Sequence, residues 1–279
     1  MSLGQLISIA SMLIVIKLTT TCMDMNDYGR YGLLITLGSM SSLITHIGIN
    51  SGIPRIYSLS CSESKNNEGL KASGKVLLDS FKLLLGLLLV LVMLTGFGIS
   101  IDTHYYFVIV FSWITTTNLI INDVHNIVRK RALVVASLLF DAIFKSSILY
   151  VVFHYYSASV DAVFMALASS AFLTISFNVF LLYRFHDLKF KSLISDKHVQ
   201  HYRKKIYRYS WPLGVIGFVA WFQIYCDRWI IDYFLGASVV AKFNVMYQIG
   251  FTPASLAIGL MSGIFSPLIY QSKDQKDLV

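Results

Sequence analysis

Uncharged stretches of bilayer length recur along this chain, and they constrain its fold more than any other feature. No Lys, Arg, Asp or Glu interrupts the sequence between Arg30 and Arg55, Lys82 and Asp102, Asp161 and Arg184, or Arg208 and Asp227. About 20 apolar residues let a helix cross the hydrocarbon core of a membrane. Soluble domains carry roughly 25% charged residues and do not string such runs together. Here only 14% of residues are charged and 56% are hydrophobic. The expected fold class is therefore all-α, a polytopic integral membrane helical bundle.

Eight spans are expected, near 2–18, 31–53, 81–101, 104–123, 132–154, 160–183, 209–231 and 243–270. The N-terminal apolar segment lacks a basic leader and a small-residue cleavage site, so it reads as a retained helix. Two connectors are long: a polar one over 55–79 and a strongly basic one over 184–208. Tight loops elsewhere imply antiparallel hairpins. Lysine and arginine are divided very unevenly between the two sides. Only Lys17, Arg30 and Lys242 fall in loops on one side; seventeen others fall at Arg55–Lys75, Arg129–Arg131, Arg184–Arg208 and Lys273–Lys276. Because cytoplasmic loops carry the excess of Lys and Arg, both termini are expected in the cytoplasm. The net charge of +8 is then a consequence of topology, helped by anionic lipid, and nucleic acid is not an expected partner.

The segment starting at Asn26 is similar to the one starting at Ser238. Gly29-Arg30-Tyr31 lies over Ala241-Lys242-Phe243, Ser51-Gly52-Ile53 over Ser262-Gly263-Ile264 with a one-residue slip, and a proline and an Ile-Tyr pair follow in both. The two copies start six spans apart, so the halves should share one orientation about an axis normal to the membrane. The expected organisation is a six-helix lobe over 1–184, a basic connector over 185–208 and the first two helices of a second lobe over 209–279.

Three stretches resemble the polysaccharide flippases of bacterial membranes, relatives of the MATE drug antiporters and the peptidoglycan lipid flippases. They are Lys17 followed by Asp27-Tyr28-Gly29, the helix end Gly48-Ile49-Asn50-Ser51-Gly52-Ile53-Pro54-Arg55, and Tyr225-Cys226-Asp227-Arg228 with Phe234-Leu235-Gly236 and Tyr247-Gln248. The gap from Lys17 to Gly29 is longer than is usual in that family, and Lys stands where Arg is commoner. Members run to twelve or fourteen spans, so the resemblance implies a C-terminally incomplete copy. It also implies a two-lobed bundle with a cationic central cavity. Such a bundle would flip an undecaprenyl-diphosphate-linked oligosaccharide, an O-antigen or capsule repeat unit, across the cytoplasmic (inner) membrane by alternating access.

Charges at bilayer depth point to the same place. Each costs about 2.5–3.5 kcal/mol to insert, so those that persist are functional candidates. Asp141 and Lys145 are four residues apart on one helix face and can neutralise each other. Asp79 and Lys82 lie near an interface, where a lysine snorkels. Asp227 and Arg228 lie deep in the seventh span, pointing about 100° apart. A diphosphate needs cations that stay charged when poorly solvated, which arginine does while offering a planar fork to phosphate oxygens. Lys17, Arg55, Lys145 and Arg228 are the expected diphosphate or cavity ligands. Asp141 and Asp227 are the expected ion-coupling or orienting carboxylates. Asn50, Asn118, Asn122, Gln223 and Asn244 are polar spots that either meet sugar hydroxyls or bond neighbouring helices. Residues 202–209 read as an amphipathic interfacial helix or as a basic loop.

Neither a GxSxG, HExxH nor Walker A pattern occurs, and Cys22, Cys61 and Cys226 have no metal-ligand spacing, so neither enzyme chemistry nor a cofactor or metal is expected. Expected partners are the lipid-linked oligosaccharide, membrane lipids, and polysaccharide polymerase or assembly proteins. Two rival readings are a cation-coupled small-molecule exporter of the MATE type and an inactive remnant or scaffold of an export complex. A cationic cavity favours the diphosphate lipid, and an acidic one favours a drug cation.

Overall fold

A computed structural model describes residues 3–156, 158–185, 197–251 and 261. The expected eighth span beyond 251, the 186–196 part of the basic connector and the second half of the repeat lie outside them. The described residues are all helical, without strands: α1 (Leu3–Cys22), α2 (Met25–His46), α3 (Ile49–Ser62), α4 (Asn66–Gly96), α5 (Thr103–Ile127), α6 (Arg131–Tyr155), α7 (Val160–Phe185) and α8 (Lys197–Leu235). A further helix, α9, covers 237–251.

Four helices, α4 to α7, are long and apolar enough to cross a membrane, and the pair α2 and α3 makes a fifth when counted as one bent span. The chain is a multi-pass membrane protein on this ground. The apolar part of α1, Leu6–Cys22, is shorter, and α8 is less apolar because Asp227, Arg228, Gln223 and several Trp and Tyr residues dilute it. Large apolar side chains point outward from the bundle, as a lipid-facing surface requires. On α4, Leu89, Val92 and Met93 are exposed, and on α8, Ile216, Val219 and Phe222 are.

Three expected boundaries are corrected. The span placed at 31–53 is not one helix: it bends by 44° after His46. Ile47 and Gly48 both take left-handed conformations there, with φ of 38° and 72°. The polar connector over 55–79 is not a loop. It comprises the end of α3, a turn at 63–65 and the first half of α4, which is helical because Ala72 and Val76 give it a buried face. Third, residues 202–209 are neither a loop nor a separate interfacial helix. They continue directly into α8, with Val199, Tyr202, Ile206 and Ser210 buried at helical spacing and Lys197, His201, Lys204 and Arg208 on the opposite, exposed face.

Packing gathers into two cores. One joins α1, α2, α5, α6 and α7 through Tyr28, Leu34, Val108, Leu149, Phe164 and Leu167. The other joins α3, α4, α5 and the first half of α8 through Ile53, Tyr57, Val76, Ile120, Tyr202 and Ile206. Helix α5 belongs to both. Hydroxyls stitch it to α2, with Ser41 to Ser112 at 2.7 Å and Ser42 to Thr116 at 2.6 Å. His46 adds a bond to Thr117 at 3.3 Å. In lipid, where apolar side chains gain nothing by leaving solvent, such small and hydroxylated residues hold helices together.

Candidate functional site

Arg228 occupies the buried face of α8, 7% exposed. Its Nε donates to Asn244 Oδ1 at 2.6 Å and its Nη1 donates to the Ile224 carbonyl at 3.4 Å. Three rings surround the guanidinium: Tyr225 and Tyr247 at 5.0 Å and Phe243 at 6.0 Å. Tyr225 and Arg228 are three apart on α8, and Phe243 and Tyr247 four apart on α9, so each helix brings its aromatic partner to one face. Among the described residues no carboxylate pairs with Arg228. The ring faces attract the cation without neutralising it. A buried arginine held this way has a strong remaining affinity for an anion.

This side chain lines a cavity of about 400 Å³ between α1, α2, α6, α8 and α9. Across it stands the pair from α6: Lys145 Nζ donates to Asp141 Oδ2 at 2.6 Å, and Thr174 of α7 donates to Asp141 Oδ1 at 3.2 Å. Ser8, Ser11, Tyr28, Thr36 and Gln248 add neutral hydrogen-bonding groups to the walls. Among the described residues the charged lining is thus two cations to one carboxylate. The α9 wall approaches α2 closely because Gly29 and Gly32 carry no Cβ. One at Gly29 would collide with the Ala237 carbonyl, and one at Gly32 with the Asn244 amide nitrogen.

Of the six expected site residues, the fold brings three together: Asp141, Lys145 and Arg228. The other three lie elsewhere. Lys17 is exposed on α1, Arg55 is exposed on α3, and Asp227 is exposed beside Cys226. Asp227 does not orient Arg228, because neighbours on a helix face different ways and the inward one is Arg228. Asn244 takes the orienting role instead. Of the remaining polar spots, Asn118 accepts from Asn178 at 3.0 Å and so joins α5 to α7, Asn50 and Gln223 are exposed, with Asn50 accepting from the Ser51 N–H at 3.0 Å, and Asn122 is buried with no partner for its Oδ1 among the described residues. The aromatic box was legible only as the spacing of Tyr225, Phe243 and Tyr247, which has no meaning until α8 and α9 fold back on each other at Gly236. Gly236, at φ of 84°, makes that turn.

No family model, curated protein or solved structure matches the chain.

Proposed function

We propose that this chain is a transporter of the polysaccharide flippase kind. It moves an undecaprenyl-diphosphate-linked oligosaccharide across the bacterial cytoplasmic membrane by alternating access, with eight spans, both termini in the cytoplasm, and two helices that begin a second copy of the first six-helix lobe. The observation that carries this reading is Arg228, buried on a cavity wall and held by rings and an amide. A diphosphate presents anionic oxygens that suit the remaining N–H edge of a guanidinium. Lys145 supplies a second cation once the anion competes with Asp141 for it. The neutral hydroxyls and amides around them suit a sugar. A drug cation would meet an excess of positive charge, which argues against the exporter reading. The repeat gains support from Gly32 and Asn244, which occupy equivalent positions in the two segments and meet in the fold.

The test is complementation. The chain is expressed in a bacterium lacking its own flippase for a matched lipid-linked glycan, and surface polysaccharide is scored. Restoration that Arg228→Ala abolishes, while membrane insertion and abundance stay normal, is the expected result. Export unchanged in Arg228→Ala would remove this site from the mechanism.

A further inference from the structure

Two helix defects stand side by side at one level of the bundle. The first is the break between α2 and α3, where Ile47 and Gly48 are left-handed and the axis bends by 44°. The second is in α8: Pro212 has no N–H for the Arg208 carbonyl, and its ring crowds the preceding turn. The defects touch backbone to backbone. A Cβ on Gly48 would collide with the Ser210 carbonyl and come within 2.9 Å of the Gly214 nitrogen, and one on Gly214 would lie 3.0 Å from Ile47 Cγ2. Leu213 Cβ and Ile47 Cγ2 flank this backbone contact, so a bend in one helix presses on the other.

Above this level α2 is fastened to the second half of α8. Trp221 Nε1 donates to the Thr36 carbonyl at 3.0 Å, and Trp229 Nε1 donates to Thr36 Oγ1 at 3.0 Å. Below it α3 is fastened to the first half of α8 by the buried Ile53, Tyr57, Tyr202 and Ile206 and by the bond from Tyr202 to Glu63. Asp79 of α4 joins the lower unit, accepting from Arg203 at 2.7 Å and Tyr207 at 2.9 Å. The upper half of α4 is mostly exposed from Leu85 to Met93, so few contacts hold it to the bundle. Each helix line is therefore rigidly paired with the other above and below, and both are weakest at the same point.

We propose that Ile47–Gly48 and Pro212–Gly214 form one coupled hinge. About it α3, the lower part of α4 and residues 197–210 turn as a unit, sliding over Ile120 and Val124 of α5, against α2, the rest of α5 and the cavity-lining half of α8. The proposal concerns motion alone and stands or falls without the transport reading.

Spin-label distance measurements on the full chain in lipid vesicles, with Cys22, Cys61 and Cys226 replaced by serine, test it. Labels at Lys204 and Gln223, both exposed on α8, straddle the hinge about 28 Å apart. Labels at Ser62 and Lys204 lie within the lower unit, and labels at Ile143 and Phe172 report the rest of the bundle. The expected result is a broad or two-component 204–223 distribution that becomes single and narrow in Pro212→Ala, with the other two pairs narrow throughout. A narrow 204–223 distribution in the parent chain, or one still broad in Pro212→Ala, overturns the hinge. Broad 62–204 distances would show the lower unit is not rigid, and broad 143–172 distances would show general looseness; either outcome also overturns it.

Discussion

The two halves of α8 treat arginine in opposite ways. In the first half Arg203 is 42% exposed and meets Asp79 directly, so its charge is answered by a carboxylate beside water. In the second half Arg228 is buried among aromatic rings and answered by neutral groups, the Asn244 side chain and the Ile224 carbonyl. One arrangement ties helices together and satisfies the charge; the other keeps the charge available. The contrast shows that a basic residue becomes a site through what it lacks around it, more than through its depth in the sequence.

The comparison is most sharply tested by removing both arginines in turn. Arg228→Ala is expected to lower export about 10- to 100-fold, corresponding to a charge-assisted bond of ~1.5–3 kcal/mol, and Arg203→Ala to leave export within about twofold. Equal losses in a surface-glycan assay would erase the distinction. Next in size is the core beneath Arg203. Ile206→Ala, in a fully buried position, should cost about 2–5 kcal/mol in detergent unfolding experiments, and Ile216→Ala, lipid-facing on the same helix, about 0.5 kcal/mol or less. Gly32→Ala would press on Asn244 and loosen its hold on Arg228, at about 1–3 kcal/mol. Gly86→Ala, whose added carbon meets nothing within 4 Å, should instead gain about 0.5–1 kcal/mol. Thermal melts of the two variants side by side check the sign.

The smallest effect concerns pH. The hydrogen bond from Tyr202, followed by nearby lysines, holds the Glu63 carboxyl below its usual range, and burial pushes the Tyr202 hydroxyl up to about 12. A depressed carboxyl contributes stability above its unfolded pKa and loses it as pH falls through the lower folded value. Melting temperature should therefore fall slightly more on acidification in the parent chain than in Glu63→Gln. Parallel acid profiles would show that this contact adds nothing.

Much of the candidate site was legible residue by residue, but not as a site. Arg228, Lys145 and Asp141 stood out because charge is costly in lipid, and that cost is local. Asp227 stood out for the same reason, Lys17 and Arg55 for their places at helix ends in the resemblance, and all three lie outside the cavity. Insertion cost is the same on any face of a helix, and only packing against neighbours decides which face is inside. The hinge was less legible still. Gly48 can take a positive φ at little cost, but Ile47 is β-branched and prefers other conformations, so nothing local predicts the break.

By itself, then, the sequence determined that the chain is helical and lies in a membrane, since uncharged bilayer-length runs favour lipid and a helix pairs its own backbone groups there. Tertiary structure alone decided that the turn of α8 around Ser210 and Gly214 stands against Gly48, that Asn244 and three rings enclose Arg228, and that Asp227 faces away. Those outcomes depend on which helices become neighbours, and helix association in lipid is set by close backbone approach and shape, quantities that no single helix carries.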